Sequence, residues 1–453
     1  MRYRLLAIAL LVWGFEWACF QFSFLICISL IAFLGVLIVV IFRKIRSALC
    51  MIVLLISLLI GNYLHVVSLH HNSLAKIAQQ NEFAGIECTV RTDPHQLLPK
   101  VKNGKKIPGN FTNLCEVESA EIYGRRITIH VPIRLISRLA VKGGVGARVE
   151  GFGQVFATSE KDVAAQIYFK NGVSLISRGA KYSQLINNFR KNFSLVALHH
   201  TSDYFGLIPG LIIGDTSGES AKMLGEMQRS GLTHLTAVSG ENFTIICVAL
   251  IWFLSRTLPY FHIRYFLVGV ICFAFMFIAR PSASVLRAAV MLAVYLFGKV
   301  SGRKPDAIPA LACAILVIIG INPMEAIDPG FALSTLATLG ILTLYPHLHK
   351  LISSRIHSQI RDRALSPLAL SLVANLFTVP ISYPLSGYFS WSSIPANMLV
   401  EPLVAPVTIF GGVAAIASQF SEVVAKPLIY LCIPFTWCIV KIAHLCSLAP
   451  VVH

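Results

Sequence analysis

Phe22-Ser-Phe-Leu-Ile-Cys-Ile-Ser-Leu-Ile-Ala-Phe-Leu-Gly-Val-Leu-Ile-Val-Val-Ile-Phe42 runs without one charged residue. About 20 apolar residues in helical form span the hydrocarbon core of a bilayer, so this stretch reads as a membrane span. Leu5–Phe20 and Leu49–Leu69 flank it as two more. Arg2 and Arg4 imitate the start of a secretory signal, but no small-residue cleavage site follows and two further spans do, so the start reads as an anchor. Lys and Arg collect in cytoplasmic loops. Arg2 and Arg4 therefore place the N-terminus inside, and Arg43, Lys44 and Arg46 agree. Residue 70 then emerges on the far side.

Composition extends that reading to the whole chain. Of 453 residues, 56% are hydrophobic and 13% are charged, against about 25% charged in soluble domains. Mean hydropathy is +0.71. This excludes a secreted disulfide scaffold, a disordered chain and a cytosolic enzyme. The net charge is +17, from 38 Lys and Arg against 21 Asp and Glu. Such an excess arises from basic inside loops or from affinity for a polyanion.

Between 70 and 200 the apolar runs stop. Ile127, Ile129, Val131 and Ile133 alternate with Thr128, His130 and Pro132, and Ile86, Cys88 and Val90 alternate with Glu87 and Thr89. Period two is the half-buried strand signature. Leu114–Ile122, Arg148–Ala157 and Ala165–Ile176 are further strands, separated by turn signals at Asn103-Gly104, Tyr123-Gly124, Gly143-Gly144 and Asn171-Gly172. The spacing predicts a small β-barrel or sandwich. From Tyr182 a helical period returns, with Leu185, Ile186, Phe189, Phe193, Val196 and Ala197 on one face and Arg190 and Lys191 flanking it. That pattern predicts an amphipathic helix on the membrane surface. Tyr204–Asp215 is too short to cross and holds Pro209-Gly210, so it reads as interfacial or re-entrant. Eight spans follow: Leu232–Leu254, Ile263–Ala279, Ser284–Val300, Ala307–Ile321, Pro329–Tyr345, Pro367–Ser386, Ile394–Ile416 and Pro427–Leu448.

The expected architecture is a polytopic α-helical membrane protein of about 11 spans, in a cytoplasmic (inner) membrane, with one extracytoplasmic all-β domain. Its parts are a three-span anchor (1–69), the β-domain (70–181), an amphipathic and re-entrant segment (182–230) and a helical domain (231–453), with the C-terminus outside. Residues 70–200 hold 18 Lys and Arg against 9 Asp and Glu. Topology does not require that surplus outside. Lys100, Lys102, Lys105 and Lys106 crowd one loop, and Arg125 and Arg126 open a strand. A basic barrel is a common platform for single-stranded nucleic acid; the plainer reading is a solvated surface near anionic lipid.

The second half is more specific. Gly231-Leu-Thr-His-Leu-Thr-Ala-Val-Ser-Gly240 resembles the GxxHLLAxSG segment of the ComEC family, the membrane channels of bacterial DNA uptake. Arg280-Pro281 through Ser284-Val-Leu-Arg-Ala-Ala-Val-Met291 resembles its PSVLRAxxM helix. Asn322-Pro323 with Asp328-Pro-Gly-Phe-Ala-Leu-Ser334 resembles its DPGFQLS segment, and Leu207–Asp215 with Ser217-Gly218 its LxxGLxxGDxSG stretch. Asn375, Val379-Pro380, Asn397 and Glu401-Pro402 fit its late helices. The resemblance implies that the β-domain is an OB-fold and that the helical part passes one strand of transforming DNA inward. Many relatives add a metallo-β-lactamase-like nuclease domain; this sequence has no HxHxDH motif, since Lys350 follows His347-Leu-His349. It departs from the pattern at Glu241-Asn242-Phe243 and at Ala332, where the family carries Gln.

Several residues carry two readings. Arg287 is either a DNA-phosphate contact in a wet channel or the partner of Asp328 or Glu241 in an ion pair. Ser239, Gly240, Glu241 and Asn242 fit a broken helix that turns backbone N–H groups to a pathway, or a small-residue helix crossing. His234 is a gate or a packing residue. Asp328 is a helix cap with Pro329 in the first turn, which does not exclude a place beside the pore together with Ser334. Asn375 and Asn397 line a channel or join helices. Asp215 and Glu219 are a carboxylate pair or simply a polar loop. Cys88 and Cys115 are either a disulfide in a permissive compartment or buried thiols.

Three functions fit these residues: a channel for single-stranded DNA, a secondary transporter for a small anionic solute, and a membrane enzyme using His234, Ser239 and Glu241. The transporter predicts an internal repeat, and none is convincing. No enzyme activity, metal or cofactor is expected. Without a Walker A motif, energy must come from elsewhere. The resemblance implies as partners, besides single-stranded DNA and membrane lipid, an extracytoplasmic DNA receptor and a cytoplasmic helicase-like ATPase; a nuclease, where needed, is expected on a separate chain or in a domain missing from this sequence.

Overall fold

The alternation between 83 and 169 closes into a barrel. Strand β1 (Phe83–Val90) buries Ala84, Ile86, Cys88 and Val90 on one face. Two short hairpin elements follow: β2 (His95–Gln96), then the pair β3 (Lys100–Lys102) and β4 (Lys105–Ile107). Next come β5 (Phe111–Ile122), β6 (Arg125–Ser137), β7 (Arg148–Phe156) and β8 (Ala165–Phe169). Strand β1 pairs with both β5 and β7, so the order β1-β5-β6-β8-β7 returns to β1. All pairs are antiparallel except β6 with β8. Closure removes the free edges that an open sheet would expose. The inward residues, among them Ile133, Leu135, Val149, Val155 and Ile167, form the core. Tyr123 and Gly124 take φ of 51° and 73° in the β5–β6 hairpin, as a tight primed turn requires.

The computed structural model describes residues 2–21, 72–355 and 359–450, with short breaks at 97–99, 103–104, 108, 159, 161, 200–201 and 389, and also positions 60, 61 and 69. The expected span Phe22–Phe42 lies outside the described residues, as do most of Leu49–Leu69 and the Asn103-Gly104 turn. Residues 56–189 form one compact unit, and residues 1–55 with 190–453 form the other. The expected strand Ala165–Ile176 is two: β8, and β9 (Ser174–Ser177), which pairs with β7. The break lies at Gly172, whose φ of 77° ends the first strand.

In the helical unit each of the eight expected runs falls on a helix. After α1 (Arg2–Gln21), α2 (Ser73–Gln80) of the barrel unit, and α3 (Lys181–Ala197) come α4 (Asp203–Ile213), α5 (Ala221–Arg229) and α6 (Gly240–Thr257). The last eight helices are α7 (Phe261–Ala279), α8 (Ala283–Val300), α9 (Ala307–Ile321), α10 (Pro329–Thr343), α11 (Tyr345–Arg355), α12 (Gln359–Ser386), α13 (Ser393–Ala417) and α14 (Glu422–Ser447). From α6 onward, side-chain caps start four helices among the described residues. Ser239, Ser282, Asp306 and Asp328 accept from the backbone N–H of Asn242, Val285, Ile308 and Phe331, satisfying donors that a helix start leaves orphaned.

Among the described residues, five helices are long and apolar enough to cross a membrane: α7, α8, Leu365–Ser386 within α12, α13 and α14. The bent pair Pro329–Thr343 and Tyr345–Ile352, at 41°, makes a sixth if it is one span. Three expectations change. Leu232–Leu254 is helical only from Gly240, because Gly231 at φ 73° and a short turn at Thr233–Leu235 precede it. Ser239 therefore starts that helix and does not interrupt it. In α3 the expected apolar face splits: Phe193, Val196 and Ala197 are buried, but Leu185 is 70% exposed. Arg190, expected to flank that face, is itself buried, because its guanidinium donates to two carbonyls described below.

Barrel closure gives a test. A Cβ on Gly153 of β7 would lie 2.8 Å from Ile167 and 3.0 Å from the Tyr168 carbonyl, whereas one on Gly172 meets nothing within 4 Å. Gly153→Val is expected to reduce the yield of folded, monodisperse full-length protein in detergent at least several-fold. Gly172→Ala meets only backbone strain and should cost about 1 kcal/mol. Equal yields from the two variants would contradict the closure.

Candidate functional site

Helix α4 is buried from Phe205 to Ile213 although it has only 11 residues. A helix that short leaves orphan carbonyls at its end, and in this fold each of the following finds a donor. Gly214 N–H donates to Gly210, and Asp215 N–H to Pro209. The Asn242 Nδ2 amide donates to Leu211 at 3.0 Å. Arg190 donates to Ile213, and at 2.7 Å to Ile278 near the end of α7. Glycines let the following loop lie against the helix: a Cβ on Gly206 would strike the Gly218 carbonyl, and one on Gly210 would strike Glu219.

That loop holds the carboxylate pair. Ser194 donates to Asp215 Oδ2, and Ser217 N–H donates to Oδ1 at 3.0 Å. Burial raises the Asp215 carboxyl, but the bonds from Ser194 and Ser217 and the charge of Arg190 outweigh it and hold the group below its ordinary value. Both Glu219 carboxylate oxygens are buried without a hydrogen-bond partner among the described residues. Burial, and then the Asp215 charge, push Glu219 up to about 9. One carboxylate is thus fixed as an anion and its neighbour is held as the acid.

A second cluster gathers at the start of α6. The Gly240 N–H donates to Ser284 Oγ at 3.1 Å, and Ser334 Oγ donates to the same oxygen at 3.0 Å. This joins the first turns of α6 and α8 to the second turn of α10. Arg287, on the Ser284 face of α8 by i,i+3 spacing, is 7% exposed. Its Nη2 is 3.2 Å from where a Gly240 Cβ would stand. Among the described residues, the buried Nε and Nη1 of Arg287 have no partner, and it pairs with neither Asp328 nor Glu241.

The other candidates scatter. Asn242 is fully buried; it accepts from Thr408 Oγ1 at 3.3 Å as well as donating to Leu211, so it braces α6 to α13 and α4. Asp328 caps α10 through Phe331 N–H at 2.6 Å, as its sequence context requires. Glu241 occupies the first turn of α6, within electrostatic range of Glu401 on α13. Asn375 donates to Ser371 and accepts from Ser393, joining α12 to α13. His234 is exposed in the turn before α6, and Asn397 is half-buried in α13. Sequence reasoning passed over Ser284, Ser194 and Thr408, and took Arg190 for a surface residue. Only Ser284 had a local signal, its place three residues before Arg287.

In the barrel unit, Lys100, Lys102, Lys105 and Lys106 fall on the β3–β4 hairpin, where the register sets Lys102 opposite Lys105. Arg125 is exposed at the start of β6. Arg126 is already engaged: it bonds Glu87 and donates to Ser119 at 3.1 Å. Arg91 with Glu116, Arg134 with Glu160, and Arg148 with Glu118 are likewise paired. Cys88 and Cys115 carry no bridge; both are buried free thiols, with Cys115 hydrogen-bonded to Cys88.

Glu219 makes stability depend on pH with a defined sign. A carboxyl raised in the folded state favours folding less as pH rises, here from its ordinary 4.5 to about 9. Glu219→Gln should therefore melt higher than the wild type at pH 8 in detergent, with the gap closing towards pH 5. A pH-independent difference would refute the buried-acid assignment.

The family model described as Competence protein matches residues 211–453, from the end of α4 through α14. The ComE operon protein 3 of Bacillus subtilis (strain 168) is 27% identical over 214 residues, which is 47% of this chain and 26% of that protein. The chain therefore matches about a quarter of that relative's length. No solved structure matches. The matched region contains the Gly240–Ser284–Arg287–Ser334 cluster and the Asp215–Glu219 loop, and by that match the chain belongs to the ComEC family of competence proteins.

Proposed function

We propose that this protein is a channel that passes single-stranded DNA across the cytoplasmic membrane during natural transformation, after its barrel domain captures the strand outside. Membership of a competence family supports a role in DNA uptake. The observation that carries the capture step is the β3–β4 hairpin. Residues 97–110 hold four lysines and no acidic residue, and the register sets like charges opposite each other. Such a pairing is unfavourable alone and is relieved by a polyanion. The hairpin sits in the connection between the first two strands of a closed five-stranded barrel. In an OB-fold that connection is one of the loops that hold oligonucleotides, which supports reading the barrel as an OB-type domain.

The channel reading takes eleven spans, with the barrel and the C-terminus outside. A duplex is too wide for a bundle of this size, so strands separate outside, with a DNA receptor there. A helicase-like ATPase inside supplies the energy. Residues expected beside the strand are His234, Ser239, Gly240, Glu241, Arg287 and Ser334.

Full-length protein in nanodiscs should bind oligo-dT with a steep log–log loss of affinity on added salt. For single strands the slope is about −0.7 per phosphate neutralised. Changing the four hairpin lysines to Ala should flatten it by up to about 3 units. An unchanged slope would remove the hairpin from the capture step. A reporter fused after His453 should be active only outside the cytoplasm; cytoplasmic activity would overturn the orientation.

A further inference from the structure

The Arg287 cluster lacks one component. A guanidinium buried in a helical membrane domain is costly without a counter-charge or a polar neighbour. Arg287 is 93% buried by its 7% exposure, and its buried Nε and Nη1 donate to nothing among the described residues. The acids on surrounding elements do not serve it. Asp328 is committed to its cap on α10, and Glu241 in α6 and Glu401 in α13 form no ion pair with it. What lies beside Arg287 is the capped N-terminus of the 18-residue α6, the positive end of its dipole, although Glu241 also stands in that first turn. Arg287 also stands in the second turn of α8, itself 18 residues long. Helix N-termini of this kind favour anions. Gly240 is what permits the approach, since a Cβ there would stand 3.2 Å from Nη2. Ser284 and Ser334 hold the first turns of α6 and α8 against the second turn of α10 at this point.

We propose that Arg287 and the N-terminus of α6 form a seat for a phosphodiester anion, occupied in turn by the phosphates of a strand in transit. This rests on the channel reading and adds to it a defined station inside the helical unit. The planar, five-donor guanidinium suits two phosphate oxygens at once. The seat is a single site, weak enough that each phosphate can leave it.

The test uses full-length protein in detergent with inorganic phosphate as the probe, against chloride at equal ionic strength. Saturating phosphate should raise the melting temperature of the wild type by about 2 °C or more. Arg287→Gln should abolish that shift. Gly240→Ala, which keeps the charge but crowds it, should at least halve the shift and serves if Arg287→Gln does not fold. In a competent host, Arg287→Gln should cut DNA uptake at least tenfold while oligo-dT binding by the full chain keeps its salt slope. An unchanged phosphate shift in both variants overturns the seat. So does native mass spectrometry showing a retained phospholipid that Arg287→Gln releases, because the ligand is then a lipid headgroup. Failure of the capture reading shows separately, as loss of oligo-dT binding in the wild type.

Discussion

The helical unit is organised around a helix end that has no water to bond to. Helix α4 is buried from Phe205 to its end, so the carbonyls of its last turn must be satisfied by protein. Asn242 reaches from α6, Arg190 reaches from α3, and the backbone of Gly214 and Asp215 folds back. Each donor fixes a further element. Asn242 also holds Thr408 of α13, and Arg190 also holds the Ile278 carbonyl of α7. The position of α6, and with it the Gly240–Arg287 approach, follows from an obligation created by eleven residues that stop short.

The same obligation explains the glycines. Gly206 and Gly210 lie one turn apart on α4 and meet the loop that carries Gly218 and Glu219. Small residues allow such close backbone approach where lipid offers no hydrophobic drive between helices. The loop is thereby pressed against the helix, and the Glu219 carboxyl is shut away from solvent and partners. Its neighbour Asp215 escapes that fate only because Ser194 and Ser217 donate to it. Two carboxyls four residues apart acquire opposite charge states from geometry alone.

Much of this was legible in sequence where the cause is local. Period-two alternation at Ile127–Ile133 set the strand, and Asp328-Pro329 set the cap, because neighbours in the chain decide both. Apolar length placed eight helices after residue 231. The barrel's closure was not legible, since the pairing of β1 with β7 joins residues some sixty positions apart and leaves no mark on either strand. The role of Arg190 was hidden for the same reason: its acceptors are carbonyls 23 and 88 residues away, and carbonyls have no sequence identity. Surface charge beside an apolar face looked interfacial, whereas the guanidinium turned inward. For Arg287 both readings were visible, and the absence of an ion pair to Asp328 or Glu241 is what three-dimensional placement added.

The arginine–glutamate pairs on the barrel have a consequence for length selectivity. Arg91, Arg126 and Arg148 are more than half exposed in side chain and bridge to Glu116, Glu87 and Glu118. Exposed pairs of this kind are worth about 0–1 kcal/mol each, so exchanging a carboxylate for a phosphate is nearly neutral. A small anion, meeting one pair, gains nothing by the exchange. On the proposed capture role, a long polyanion held at the lysine hairpin would bring its remaining phosphates past these pairs at high local concentration and recruit the arginines one after another. The number of cations the barrel offers would then grow with the length of the polymer that touches it, a preference for polymers over monomers that needs no recognition of a base.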